Sequence, residues 1–142
     1  MNTVKQILEQ KGESVFTVGP NASVYDAITI MAEKHVGALP VTEGDNLVGM
    51  ISERDYAHKG ILRGRSSPDT KVSEIMTNRV MVVPPERTTE ECMALMTKNR
   101  FRHLPVVEDG KLVGMVSMGD MVKAIISEDK FMIEQLEHYI TS

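Results

Sequence analysis

This 142-residue chain has no tryptophan, one cysteine, three phenylalanines and three tyrosines. A single cysteine excludes an internal disulfide and agrees with a reducing compartment. No apolar run approaches the roughly 18 residues that indicate a membrane-spanning helix, and the first residues lack the apolar core of a signal peptide. We therefore expect a cytoplasmic protein.

Motifs that mark common catalytic and metal sites are also missing. The four histidines share no metal-ligand spacing, and no cysteine joins them. The sequence has no P-loop, no G-x-G-x-x-G and no G-x-S-x-G. A formal net charge of −4 argues against bulk electrostatic binding of nucleic acid. We expect neither an enzyme nor a metal protein, whereas a small anion needs only a local cluster of donors.

The dominant feature of the sequence is an internal repeat with a spacing of 65 residues. Residues 15–56 align with residues 80–121 without a gap, and 14 of these 42 pairs are identical. The match is densest from Leu39-Pro40-Val41 onward, which returns as Leu104-Pro105-Val106. We expect each copy to be one supersecondary unit that needs its twin to complete a core.

Both copies predict the element order β-α-β-β-α. In each copy a hydroxyl residue is followed three positions later by an acid, a capping box that predicts the start of the first helix of the unit. The pairs are Ser23/Asp26 and Thr88/Glu91. Cys92 falls on the apolar stripe of the second of these helices, and we interpret it as a core residue. Gly and Asp pairs predict the two hairpin turns. Short strands are predicted at 16–18, 38–41 and 47–51 and at 81–83, 104–107 and 112–116.

The return strand of each hairpin is apolar almost throughout, so we expect it to be buried on both faces. A further lead segment also repeats, as Val4–Leu8 and Val72–Met76. Beyond the repeat, apolar residues at helical spacing predict an amphipathic helix, or two joined helices, from Asp120 to about Ile140. It would cap the core or pair with a second subunit. The predicted organisation is repeat 1 at 2–62, a linker at 63–71, repeat 2 at 72–127 and a helical extension at 128–142.

The sharpest motif is G-x-x-S-x-x-D at the end of each return strand, with Ser52 and Asp55 in copy one and Ser117 and Asp120 in copy two. A helix begins there, so free backbone N–H groups and the positive end of the helix dipole suit a phosphate. The aspartate lies on the same face as the serine and can accept hydrogen bonds from two vicinal hydroxyls. The motif therefore fits a ribonucleotide, although Ser-x-x-Asp is also a plain capping box.

Basic residues are distributed unequally between the copies. Copy one has Arg54 inside its motif, whereas copy two has Arg100, Arg102 and His103 just before Leu104-Pro105. Arginine can bind a phosphate in a bidentate manner. We expect Arg54, Arg102 and His103 to be the phosphate partners, unless they are only solvated surface residues, and we expect the two sites to be inequivalent.

With these motifs the sequence resembles a tandem pair of CBS domains, the modules named after cystathionine β-synthase. The resemblance rests on the doubled Leu-Pro-Val and Leu-Val-Gly-Met-(Ile/Val)-Ser-x-x-Asp, and it covers residues 2–127. The stretch from Ser52 to Ala57 is further similar to small stand-alone CBS-pair proteins. The resemblance implies an α/β fold of two β-α-β-β-α repeats related by a pseudo-twofold axis, two clefts between the repeats, and a homodimer.

The resemblance also implies adenosine ligands: AMP, ADP or ATP, in some relatives NAD(H), and less often S-adenosylmethionine. In this family the aspartate of Ser/Thr-x-x-Asp holds the ribose hydroxyls, and backbone beside the Leu-Pro pairs faces the adenine. The expected nucleotide-binding residues are Thr17, Ala38, Leu39, Pro40, Ser52, Arg54, Asp55, Val82, Arg102, His103, Leu104, Pro105, Ser117 and Asp120.

Two functions are compatible with the sequence. The first is a regulatory adenine-nucleotide sensor that transmits its ligand state to a partner protein. The second is a ligand-independent scaffold for dimerisation or interaction, in which the two Ser-x-x-Asp motifs act only as helix caps. A nucleotide-processing enzyme is disfavoured because no catalytic group is apparent.

Overall fold

The structure is a computed structural model that describes residues 2–12 and 15–141. Its elements follow the repeat and confirm the predicted α/β architecture. In chain order they are α1 (Val4–Lys11), α2 (Val24–Lys34), β1 (Ala38–Glu43), β2 (Asn46–Ser52), α3 (Glu53–Asp55), α4 (Val72–Ile75), α5 (Thr89–Asn99), β3 (His103–Glu108), β4 (Lys111–Ser117) and α6 (Met118–Thr141). A π-helical turn (Tyr56–Gly60) and a 3-10 turn (Ile61–Arg63) follow α3 directly.

Two separate antiparallel hairpins, β1-β2 and β3-β4, form at equivalent positions. Both central residues of the second turn, Asp109 and Gly110, have positive φ values of 52° and 79°. Such a turn matches the natural twist of the flanking strands. The predicted strands at 16–18 and 81–83 are reduced to single parallel bridges, Val18 with Val41 and Val83 with Val106.

The prediction that the return strands are buried on both faces is wrong. In β2, Gly49 and Ile51 are buried, whereas Val48 and Met50 are half-buried. A two-stranded hairpin has one face on the core, and Met50 on the other face borders a cleft between the repeats. The second face is covered in part, so it is also apolar. The sequence therefore suggested full burial on both faces.

Each repeat has its own apolar core, and each core receives a lead helix from the other repeat. Val4 and Ile7 of α1 are buried with Cys92, Leu104 and Val116 of the second repeat. Conversely, Val72 and Ile75 of α4 are buried with side chains of the first, including Met31, Leu39 and Ile51. The core position of Cys92 is confirmed, and burial raises the pKa of its thiol to about 11.

The lead helices are also fixed by backbone hydrogen bonds. The Val4 amide donates to Arg87 O at 2.8 Å, and the Val72 amide donates to Ala22 O at 2.8 Å. Two glycines permit close approach: an added Cβ at Gly49 would lie 2.7 Å from Met76 Sδ, and one at Gly114 would lie 2.6 Å from Leu8 Cδ2. The two repeats are therefore interlocked through α1 and α4.

The predicted C-terminal amphipathic segment is one continuous helix, α6. Its first turns pack on the second core through Met121 and Ala124, which are 0% and 8% exposed. From Asp129 to Ile140 the side chains are exposed. Ser142, the last residue of the predicted extension, lies outside the described residues.

Candidate functional site

The first strand-to-helix corner is built from Ser52 and Asp55. Ser52 ends β2 and caps α3, and its Oγ accepts from the Asp55 amide at 3.1 Å. Asp55 Oδ2 in turn accepts from the Ser52 amide at 2.9 Å and from Ser52 Oγ at 3.0 Å. The other carboxylate oxygen, Oδ1, lies 3.3 Å from Lys59 Nζ. This reciprocal capping fixes the carboxylate at the corner, with Oδ1 further from the cap than Oδ2.

A cleft of about 550 Å³ opens at this corner, between the two repeats. Ala38 and Met50 contribute apolar surface from the first repeat, while Phe101 and Pro105 contribute it from the second. This size lies within the range of small-molecule and cofactor sites. Because charged and apolar groups both line it, the cleft suits a ligand with a charged and a flat apolar part.

Four arginines line the cleft: Arg54, Arg79, Arg100 and Arg102. Among the residues that the structure describes, only two acidic ones, Glu53 and Asp55, line it with them, so this lining is cationic in a chain whose formal net charge is −4. Arg100 ends α5 in a left-handed conformation with φ 58°. The excess of guanidinium groups favours an anionic ligand, since each can donate a fork of hydrogen bonds to phosphate oxygens.

His103 lies in the same cleft and is half-buried. Burial is the main cause that lowers the pKa of its imidazole, and Lys11 and Arg102 act in the same direction, against Asp120 and Glu53. Near neutral pH the ring is therefore uncharged. It can then donate from one nitrogen and accept at the other.

The second corner has the same cap but a different neighbour. Asp120 Oδ2 accepts from the Ser117 amide at 2.8 Å, and the Asp120 amide donates to Ser117 Oγ at 3.1 Å. Lys11 of α1 reaches into this corner, where its Nζ lies 2.9 Å from Asp120 Oδ2 and 3.0 Å from Met115 O. Burial alone would raise the pKa of Asp120, but the hydrogen bonds from Lys11 and Ser117 outweigh it and lower the pKa. A lysine of the same chain thus occupies the second corner.

The cleft brings together seven of the fourteen expected residues. They are Ala38, Ser52, Arg54, Asp55, Arg102, His103 and Pro105. Leu39, Pro40 and Leu104 are buried within the hairpins, and Ser117 and Asp120 form the second corner. Thr17 is exposed, and Val82 lines a smaller groove beside the hairpin tips.

Sequence reasoning missed one of the cleft arginines, Arg79, and it noted Arg100 without counting it among the phosphate partners. Arg79 is equivalent to Lys11 when the lead segments are aligned at their own spacing, Val4 with Val72. That alignment contained the signal, because it places a basic residue three positions after each lead segment.

No helix in residues 2–12 and 15–141 is long and apolar enough to cross a membrane. Within the same residues, no group of three or more His, Cys, Asp or Glu side chains is arranged to hold a metal ion.

Comparisons with known proteins identify relatives along nearly the whole chain. The family model described as CBS domain matches twice, at residues 4–60 and 72–127. The mitochondrial CBS domain-containing protein CBSX3 of Arabidopsis thaliana is 42% identical over 97% of this chain and 71% of its own length.

Solved structures of proteins with CBS domains are also similar to this chain. A protein with CBS domains from Burkholderia ambifaria has 53% identity and a TM-score of 0.84, over 89% of this chain and 95% of that one. The CBS-domain pair of MJ0100, solved with 5′-methylthioadenosine and S-adenosyl-L-methionine, has 26% identity and a TM-score of 0.79, over 90% and 98% of the two chains.

Proposed function

Because the chain belongs to the CBS-domain family, as a tandem pair of the small stand-alone type, we propose that it is a regulatory sensor of adenine nucleotides. CBS pairs are generally regulatory modules that bind adenosyl ligands, and small stand-alone members are typically not catalytic. The proposed ligands are AMP, ADP, ATP or NAD(H), with S-adenosylmethionine less favoured. The ligand state would be transmitted to a partner protein.

One observation carries this proposal: the Ser52–Asp55 corner opens into the cleft that holds four arginines. Asp55 Oδ1 would accept from ribose hydroxyls, and the arginines would donate to phosphate oxygens. The apolar walls around Ala38 and Pro105 would contact the base. The uncharged thioether end of methylthioadenosine would leave the arginines without a partner, so the cationic lining favours a phosphorylated ligand.

The cleft also supplies a route for transmission. Asp55 and Arg54 belong to the first repeat, whereas Arg100, Arg102 and His103 belong to the second. A ligand that contacts both groups binds better when the repeats are close together than when they are apart. Such a difference in affinity is what a ligand needs to shift a conformational equilibrium.

Calorimetric titration with AMP, ATP, NADH and S-adenosylmethionine tests the proposal. We expect one of the phosphorylated ligands to bind with micromolar affinity. Arg102→Ala should weaken that binding at least about 10-fold, because a charge-assisted hydrogen bond contributes roughly 1.5–3 kcal/mol. Arg63→Ala, which removes an exposed arginine outside the cleft, is the matched control and should bind normally. Absence of binding below millimolar concentration for all four ligands would refute the sensor.

The alternative is a ligand-independent scaffold for dimerisation or interaction. It is favoured by the fact that both Ser-x-x-Asp motifs are already satisfied as helix caps. On this reading Asp55→Asn would lower stability and leave every interaction with other proteins intact. A homodimer and a cytoplasmic location are part of the proposal; the Arabidopsis relative is named as mitochondrial.

A further inference from the structure

The second half of α6 extends from the body of the protein without being covered by it. Every side chain from Asp129 to Ile140 is exposed, although these include Met132, Ile133, Leu136 and Ile140 at 54–79%. This segment lies outside the residues that the CBS-domain model matches. An isolated helix of this length is marginal in water, so the extension needs a surface that covers its apolar side.

Five of the exposed apolar side chains lie along one line of the helix, which we name the α6 stripe. It consists of Val122, Ile126, Ile133, Leu136 and Ile140. At about 100° per residue these five positions fall within an arc of about 80°. Their spacing of three, four or seven residues is that of the a and d positions of a coiled coil.

We propose that the α6 stripe packs against the α6 stripe of a second copy of this chain, with the two helices antiparallel. A twofold axis at the level of Phe131 places Val122 opposite Ile140 of the second copy and Ile126 opposite its Leu136. The same surface then serves both partners, so the contact closes on itself as a dimer.

Asp129 selects the antiparallel arrangement. It occupies the one position of the seam that is not apolar. In a parallel pair in register, Asp129 would face its own copy, and two carboxylates would be held together in a partly buried seam. In the antiparallel pair Asp129 faces Ile133 of the second copy. Lys130 of that copy is then about 4.5 Å further along the axis, within reach of the carboxylate.

The charges beside the stripe favour the same orientation. Lys123 lies beside its first half and Glu137 beside its second half, and both occupy the same flank. Antiparallel pairing brings Lys123 of each copy within about 3 Å, along the axis, of the level of Glu137 of the other, on the same side of the seam. In a parallel pair the same flank of the two copies lies on opposite sides of the seam, and Lys123 and Glu137 are about 21 Å apart along the axis.

The mass of the full-length protein in solution, measured by sedimentation without nucleotide, tests this contact. We expect Ile133→Glu to raise the dissociation constant of this contact at least about 100-fold, because each dimer loses two buried isoleucines. Phe131→Glu is the control, since Phe131 is 60% exposed but lies on the opposite side of α6. It should leave the mass unchanged. Circular dichroism would check that both variants retain their helices.

Engineered cysteines test the orientation, because Cys92 is fully buried. Met132→Cys lies one residue from the axis but on the flank of the stripe, so a short bismaleimide reagent should link it to its own copy. Ile140→Cys should not form a disulfide, because the two Ile140 positions are about 27 Å apart in the antiparallel pair.

Three results would overturn the proposal. They are a monomeric wild type, an association that Ile133→Glu leaves intact, and a ready disulfide at Ile140→Cys. A monomer that floats with phosphatidylcholine vesicles would assign the α6 stripe to a membrane surface instead. Since no nucleotide is present in these experiments, their outcome is separate from that of the nucleotide titrations.

Discussion

Lys11 Nζ lies 2.9 Å from Asp120 Oδ2, so a residue of the first helix neutralises the aspartate of the second repeat's strand-to-helix corner. The equivalent aspartate of the first repeat, Asp55, pairs with Lys59 of its own helical turn at 3.3 Å and borders the open cleft. The two corners share a sequence motif, but the second is closed by Lys11 of α1, whereas the first opens into the cleft. Because the open cleft borders only the first of these two corners, we expect the proposed sensor to bind one nucleotide per chain.

Lys11→Met should open the second corner. Without the ammonium group, Asp120 can accept hydrogen bonds from a ribose, and calorimetry should show a second, weaker binding event for the preferred nucleotide. The pKa of Asp120 should rise, because a hydrogen bond that favours its charged form is lost. The Lys11 side chain is 40% exposed, so the loss of stability should stay below about 1 kcal/mol.

The control for this experiment is Lys5→Met, which removes an exposed lysine from the same helix. It should leave both the stoichiometry and the titration of Asp120 unchanged. An unchanged Asp120 titration in Lys11→Met, followed by carboxyl NMR, would contradict the structural assignment even if no nucleotide binds.

His103 should make stability depend on pH. Its pKa in the folded protein lies below the ordinary value of 6.5, mainly because burial disfavours the imidazolium. The unfolded chain therefore binds this proton at a higher pH than the folded protein. The stabilising contribution is complete above pH 6.5 and is lost as the pH falls from 6.5 through the folded-state pKa.

Urea unfolding of wild type and His103→Gln between pH 7.5 and pH 5 measures this effect. The variant keeps the other three histidines, so the difference between the two curves isolates His103. We expect the wild type to lose more stability on acidification than His103→Gln. Parallel curves would show that the folded protein does not disfavour the imidazolium.

Gly49→Ala should destabilise the protein more than Gly114→Ala. The added Cβ at Gly49 would lie 2.9 Å from Thr77 O, a backbone atom held by the paired hydrogen bonds between Met50 and Thr77. At Gly114 the three atoms nearest to the new Cβ all belong to the side chain of Leu8, which can rotate. We expect about 1–3 kcal/mol for Gly49→Ala from overpacking and less for Gly114→Ala.

Truncating the neighbouring side chains separates the two cases. Leu8→Ala should relieve most of the additional strain of Gly114→Ala in a double-mutant cycle. Met76→Ala should relieve Gly49→Ala only in part, since the carbonyl of Thr77 remains. Equal relief at both sites would contradict the role of the Thr77 backbone.

Local sequence patterns were sufficient to predict the elements that depend on local physics. The Gly and Asp turns, the Thr88–Glu91 box and the start of α3 at Ser52 rest on backbone conformations and hydrogen bonds a few residues apart. Such signals are complete within the sequence window that contains them. The 65-residue repeat then predicted that the architecture consists of two equivalent units.

Contacts between distant segments were not predictable in this way. The repeat shows that the segments of Lys11 and Arg79 are equivalent, but it does not show which corner each one reaches. That depends on α1 packing on the second repeat and α4 on the first, which is a choice of tertiary partner. The cleft also depends on tertiary contacts. The sequence did not show that one face of β2 borders this cleft, so the return strands were expected to be fully buried.

The exchanged lead helices impose an order on folding during synthesis. The first core uses only residues between Val18 and Ile75, so it can close as soon as that part of the chain has left the ribosome. The second core needs α1, and the hydrogen bonds that Lys11 and the preceding Asn2 donate to Met115 O and Ala124 O span 104 and 122 residues. Because α1 is synthesised first and packs on the second repeat, it cannot dock until β3 and β4 have been synthesised. Val4 and Ile7 of the nascent protein therefore stay exposed until its second half has emerged.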